Sequence, residues 1–282
     1  KYKYKTKFIL GENAITDDAV FCIESDEIAV ASSTYSFLEW TNFAKYIFLF
    51  KITMFFGYCK YLIYHAVTLG IKYREIFEEI IENNTEKYPL LNNSADSYVN
   101  VITKNMFDTH KELENFVREN KAMLIKEPGG ITNRSISRII NAYVIDLIFN
   151  DKKCFVFKEI VSAINRMINK RYDESYFEIT EKLFELERNL VINPKDSLDK
   201  VLNDRVLFLD LNIIDWEREG FVKPLVYYRS KEIIQYSLQV RNKRIIEDTI
   251  KTDKNKGFDN GYSFFRYINT SNFKRIITHA DK

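Results

Sequence analysis

Between Thr132 and Asn212 the apolar residues fall into three successive helical stripes, a pattern that commits a chain to packing helices against one another. The first stripe, capped by Thr132 or Asn133, is Ile136, Ile139, Ile140, Tyr143, Val144, Leu147 and Ile148. A turn at Asp151-Lys152-Lys153 leads into a short β-rich run, Cys154-Phe155-Val156. A second helix is expected over Phe157 to Ile168, with Ile160, Val161, Ile164 and Ile168 facing inward. The third spans Asp173 to Asn189 and buries Phe177, Ile179, Leu183, Leu186 and Leu190. Two β-rich runs follow, Leu190-Val191-Ile192 and Val206 to Leu209, around a polar loop with Asn193-Pro194-Lys195-Asp196. With 8 Gly and 4 Pro in 282 residues, turn formers are too scarce for a sandwich or barrel. The expected fold class is mostly α (α+β).

Helix, short strand, helix, helix and two-stranded wing is an order that resembles a winged-helix domain. The resemblance covers residues 132–212, and it implies that the third helix would be the one laid in a DNA major groove. That helix carries Asp173, Glu174, Glu178, Glu181, Glu185 and Glu187 against only Lys182 and Arg188. DNA affinity depends on cations that neutralise phosphates and release counterions, so a helix of this charge is repelled. A winged-helix-like domain used mainly for protein contact fits the charge better.

A second route to nucleic acid runs through basic side chains elsewhere. Lys158, Arg166, Lys170 and Arg171 lie on the second helix and the turn after it, with Lys152 and Lys153 just before. Arg229, Lys231, Arg241, Lys243 and Arg244 accompany a C-terminal helix expected over Ser230 to Thr252. The tail from Tyr262 to Lys282 mixes Phe264, Phe265, Tyr267 and Phe273 with Arg266, Lys274 and Arg275, a combination that can stack on bases and hold phosphates. Direct DNA or RNA binding through these groups is therefore an alternative. The 42 basic and 40 acidic side chains give a net charge of +2, so such a role must rest on a local patch.

The first half reads as a small N-terminal antiparallel sheet with a helical region. Lys1 to Leu10 alternate as a half-buried strand, and Ala19 to Ile23 with Ile28 to Ser32 form a hairpin tipped by Glu24-Ser25-Asp26-Glu27. Ser33, Thr34 or Ser36 caps a helix that starts near Phe37 and runs into the apolar stretch Tyr46 to Ile71. This stretch is the one candidate membrane span. Lys51, Lys60 and His65 interrupt it, and each Lys near a bilayer centre costs roughly 2.5–3.5 kcal/mol. Gly57 splits it, so a buried helical hairpin is expected and no membrane partner. An amphipathic helix over Lys72 to Asn83, a linker at Asn92 to Ser97 and a long helix over Tyr98 to Ile125 follow. Glu127-Pro128-Gly129-Gly130 breaks the chain, which predicts two domains, 1–127 and 128–282.

The acidic hairpin, Phe21 to Val30, resembles the strand-turn-strand of polymerase and cyclase palm domains. That resemblance implies Mg²⁺ held by Asp26 and Glu27, with Glu24 beside them, and metal-dependent nucleotidyl transfer. The sequence departs from that pattern: Glu24-Ser25 replaces the usual glycines, and no second metal-binding Asp lies upstream unless Asp17 or Asp18 serves. The cysteines Cys22, Cys59 and Cys154 are far apart and read as reduced core thiols of a cytoplasmic protein. His65, His110 and His279 show no ligand spacing, and the acids around Trp216 (Asp210, Asp215, Glu217, Glu219) lack a Glu-x-Lys partner strand. No signal peptide is recognisable, and the wealth of Lys, Ile, Asn, Phe and Tyr reads as drift in an AT-rich coding sequence. The expected function is a non-enzymatic subunit or adaptor, without cofactor, of a nucleic-acid-associated multi-protein complex.

Overall fold

The computed structural model describes residues 3–11, 25–55, 57–82, 86–126, 139–140, 143, 145–149, 152–172, 175–192, 196–240, 243–255 and 275–279. The protein is mostly helical with two small antiparallel sheets, as the composition requires. Internal contacts divide it into two units, and neither is continuous in sequence. One comprises Lys1–Leu49 and Asn93–Val144, the other Phe50–Asn92 and Ile145–Lys282, a division that does not follow a cut at 127/128.

In the first unit, β1 (Lys5–Leu10) pairs antiparallel with β2 (Ser25–Ala31), with Phe8 opposite Glu27 and Ile9 opposite Asp26. Helix α1 (Phe37–Phe50) starts at a capping box: Glu39 N donates to Ser36 Oγ at 3.2 Å, and Ser36 N donates to Glu39 Oε2 at 2.7 Å. Helices α4 (Pro89–Lys104) and α5 (His110–Lys126) replace the single helix expected over Tyr98 to Ile125. A second capping box ends that continuity, because Thr109 Oγ1 accepts from Glu112 N at 3.2 Å and Glu112 Oε2 accepts from Thr109 N at 3.3 Å. Phe107, released from the helix, exchanges backbone hydrogen bonds with Phe8 at 2.8 and 2.9 Å. Leu10, Leu113 and Val117 form a small core with Phe8, Phe107 and Phe116 around it.

Asn92 to Ser97 is helical rather than a linker, because it lies inside α4. Pro89 supplies a fixed φ at the first helical position, and the buried Asn92 amide donates to Tyr88 O at 3.1 Å, so the polar run loses no hydrogen bonds.

The second unit holds α2 (Lys60–Thr68), α3 (Tyr73–Ile81), α6 (Lys153–Asn169), α7 (Ser175–Leu190), the short α8 (Leu198–Leu202) and α9 (Ile213–Arg218), and α10 (Lys243–Asn255). Its sheet has the order β3 (Arg205–Leu211), β4 (Arg229–Val240), β5 (Arg275–His279), antiparallel throughout. The apolar stretch beyond α1 is broken at Gly57, whose φ of 68° only glycine adopts freely. Among the described residues no single helix is long and apolar enough to cross a membrane.

Three expectations change here. Cys154-Phe155-Val156 belongs to the first turns of α6: Val156, Phe157, Ile160, Val161 and Ile164 form one buried helical stripe, and a three-residue apolar run cannot distinguish strand from helix. Ser230 to Val240 is strand, not helix, since Tyr236, Leu238 and Val240 alternate inward with period two. The expected wing is not the observed pairing either, because β3 takes β4 as its neighbour rather than the run 190–192. Of the first expected helix, 132–138 lies outside the described residues, as does most of the C-terminal tail.

Candidate functional site

The acidic third helix of the sequence is α7, and three of its carboxylates, Glu178, Glu185 and Glu187, are engaged within the chain, while Glu181 is exposed. Glu187 is buried, and its Oε1 accepts a 2.6 Å hydrogen bond from Tyr61 N in the first turn of α2. A carboxylate there satisfies an otherwise unpaired helical N–H and meets the positive end of the helix dipole. Glu178 holds Lys182 and, at 2.8 Å, Arg229; Lys182 also reaches Asp210 at 2.6 Å. Glu185 pairs with Arg188 at 3.3 Å. Asp173 and Glu174 lie outside the described residues.

Glu159 on α6 does for α4 what Glu187 does for α2. It accepts from Leu90 N at 2.9 Å and Leu91 N at 2.8 Å, and burial raises its pKa while those two donors oppose the rise. On α3 the buried Glu79 meets Arg166 at 3.1 Å, Lys170 at 3.8 Å and the Tyr88 hydroxyl at 3.2 Å. Three carboxylates, Glu187, Glu159 and Glu79, thus fasten one helix to another.

The candidate nucleic-acid residues are engaged in the same way. Arg166 and Lys170 bind Glu79, Arg171 binds Glu75 at 2.7 Å and Gly70 O at 3.3 Å, and Arg229 binds Glu178. Lys243 meets Asp204 at 3.0 Å, and Arg244 meets Asp248 at 3.9 Å. Lys158 and Lys231 are exposed and make no ion pair among the described residues, and Arg241 lies outside them. Arg166 and Lys170 share Glu79, and the other four cations each pair with an acid of their own.

The acidic hairpin tip is corrected. Asp26 and Glu27 are successive residues within β2 and exposed, so their side chains leave opposite faces and cannot converge on one cation. Glu24 lies outside the described residues. Among the described residues no group of three His, Cys, Asp or Glu is placed to hold a metal.

A corner at Gly220-Phe221 escaped the sequence reading. Both residues have positive φ, 76° and 58°, a region that costs a bulky side chain about 1–2 kcal/mol. Packing offsets that strain: Tyr64 stacks on Phe221 with centroids 4.2 Å apart, and Trp216 meets it edge-on at 4.7 Å. Lys60 lies 5.1 Å from the Phe221 ring and pairs with Glu217, which also accepts from the Tyr61 hydroxyl at 2.6 Å. Burial, then the charge of Glu217, hold the Tyr61 hydroxyl far above its usual range, so it stays a donor. Of the acids around Trp216, Glu217 thus ties α9 to α2.

Two bases, the half-buried Lys153 and the buried His65, are also displaced. Burial pushes Lys153 down to about 8, and its Nζ donates at 3.3 Å to Arg188 O at the end of α7. Burial pushes His65 from 6.5 down to about 4. The unfolded chain therefore takes up a proton at His65 below pH 6.5 that the folded chain refuses until about pH 4, and stability falls as pH drops through that window. Urea denaturation across the same window should show a shallower loss for His65→Phe than for the parent protein.

The sheet of the second unit has two unlike faces. Leu209, Leu211, Tyr236, Leu238 and Val240 are buried. On the other side Val206 pairs with Ser237 and then Thr278, Phe208 with Gln235, and Gln239 with Ile276. None of these seven residues is charged, and Phe208 is 61% exposed; Ile233 beside them is 71% exposed. Asp210, next after Phe208 on that side of β3, pairs with Lys182 and borders the uncharged patch. A patch with exposed Val206, Phe208 and Ile233 suits contact with another protein. In comparisons with known proteins, no family model, curated protein or solved structure matches the chain.

Proposed function

We propose that this chain is a non-enzymatic subunit or adaptor that binds other proteins within a larger assembly, with the outer face of the β3–β4–β5 sheet as a contact surface. The observation that carries the reading is the uncharged row from Val206 and Phe208 across to Ile276 and Thr278, on a protein in which 29% of residues are charged. Leaving Val206, Phe208 and Ile233 exposed costs solubility, and a covering partner removes the cost. Direct binding of DNA or RNA has less support, because six of the nine candidate cations are bound to acids of the same chain. Association with nucleic acid would then come through the partner.

Affinity capture from the native source should recover a partner with the parent protein and lose it with Phe208→Glu or Ile233→Glu. Both side chains are exposed, so thermal stability should move little. Arg244→Glu, on a different element, is the control that should keep the partner. Capture unaffected by either face variant would overturn the assignment. Saturable DNA binding that weakens steeply with salt would replace it with the nucleic-acid reading.

A further inference from the structure

Helix α1 has two apolar faces, and one of them is covered. Ala44, Phe48 and Leu49 are buried, and Phe48 packs on Tyr98 and Tyr143 with ring centroids 5.2 and 5.8 Å apart. On the opposite side Trp40, Phe43, Ile47 and Phe50 follow one another at steps of three, four and three residues. Phe43 is 60% and Phe50 45% exposed, while Trp40 is half-buried against the parallel ring of Phe37. Steps of three and four are the spacing of a coiled-coil seam.

We propose that this stripe pairs antiparallel with the same stripe of a second copy of the chain. It reads the same in both directions about Lys45: reversed and laid on itself, Trp40 meets Phe50 and Phe43 meets Ile47. Each layer then joins one large apolar side chain to another. The charges permit it. Lys45, the one cation of α1, turns away from the stripe and binds Asp96 at 2.5 Å. Glu39 flanks the stripe near one end, so the two copies of this carboxylate would sit about 18 Å apart along the helices, beyond the screening length of physiological salt.

The same charges disfavour a membrane surface as the occupant. Helices that lie in the interface rely on Lys and Arg beside the apolar stripe, whereas α1 offers Glu39 there, held ionised by its hydrogen bonds from Ser36. Four large side chains bury a few hundred Å² per copy, less than the ~800 Å² per partner of a stable complex. The pairing is therefore weak and reversible, with a dissociation constant of about 1–100 μM.

Sedimentation velocity of the full chain over a concentration series should show monomer passing into dimer, and Phe43→Glu should hold it monomeric with unchanged circular dichroism. Direction is tested by cysteine cross-linking under mild oxidation. Trp40→Cys mixed with Phe50→Cys should give a disulfide between residues 40 and 50 of different copies, identified by peptide mapping. Either variant alone should give far less, because like positions lie about 15 Å apart in the antiparallel pair. A chain that remains monomeric at high micromolar concentration overturns the proposal, as does a parallel 40-to-40 cross-link. Sedimentation with neutral or anionic vesicles, lost in Phe43→Glu, would overturn it in favour of a lipid surface. These outcomes are read without the sheet-face partner, so failure here leaves the assignment of the β3–β4–β5 face standing, and the reverse.

Discussion

Glu79→Ala should lower the stability of the protein by about 3 kcal/mol, at the lower end of what breaking a buried ion pair costs. Glu79 is 4% exposed and receives Arg166, Lys170 and the Tyr88 hydroxyl. Removing the carboxylate leaves a guanidinium, one of whose Nη atoms is already buried, without its counter-charge. Arg166 is more exposed than Glu79 and can turn partly toward water, which keeps the loss near the lower bound. Urea denaturation would read this as a lower midpoint at constant slope. The double variant Glu79→Ala/Arg166→Ala should recover part of the loss, because the stranded charge is gone. A single-variant loss below about 1 kcal/mol would mean that α3 and α6 are held by apolar packing alone.

Glu187→Ala comes next, with an expected loss of about 2–3 kcal/mol, the range for a charged hydrogen bond to a buried donor. The donor is Tyr61 N, in the first turn of α2, where no residue of the α2 N-cap supplies a side-chain acceptor. Glu181→Ala, on the exposed side of the same helix, should change stability by less than about 0.5 kcal/mol. The two variants remove the same group from one helix, so their difference isolates the capping contact from helix propensity and net charge. Equal losses would show that the acidity of α7 acts as a surface property.

Much of the local structure could be read from residue order. The strand expected over Lys1 to Leu10 contains β1, Ser36 is among the three residues expected to cap α1, and Gly57 splits the apolar stretch. The stripes in α6 and α7 are where the spacing puts them. Errors arose where two periods compete over a short run. At 154–156 too few residues separate helix from strand, and at 230–240 charged residues masked the alternation of Ile234, Tyr236, Leu238 and Val240. The linker at Asn92 to Ser97 misled because composition was read without its hydrogen bonds.

Charge was legible as a total but not as an arrangement. Four of the six carboxylates counted on the third helix, Glu178, Glu181, Glu185 and Glu187, lie on α7, while Asp173 and Glu174 fall outside the described residues. What such charges do depends on partners far along the chain: Glu187 caps Tyr61 N, 126 residues away, and Arg166 meets Glu79 of α3. The strained Gly220-Phe221 corner was equally hidden, because Tyr64 and Lys60 reach it only after folding. The sequence by itself determined the longer helical stripes, such as those of α6 and α7, since backbone preference and apolar period act over a few neighbours. Only the tertiary structure decided which charges are neutralised and which apolar faces stay bare, because a Coulomb energy or a buried area depends on separations that chain order does not contain.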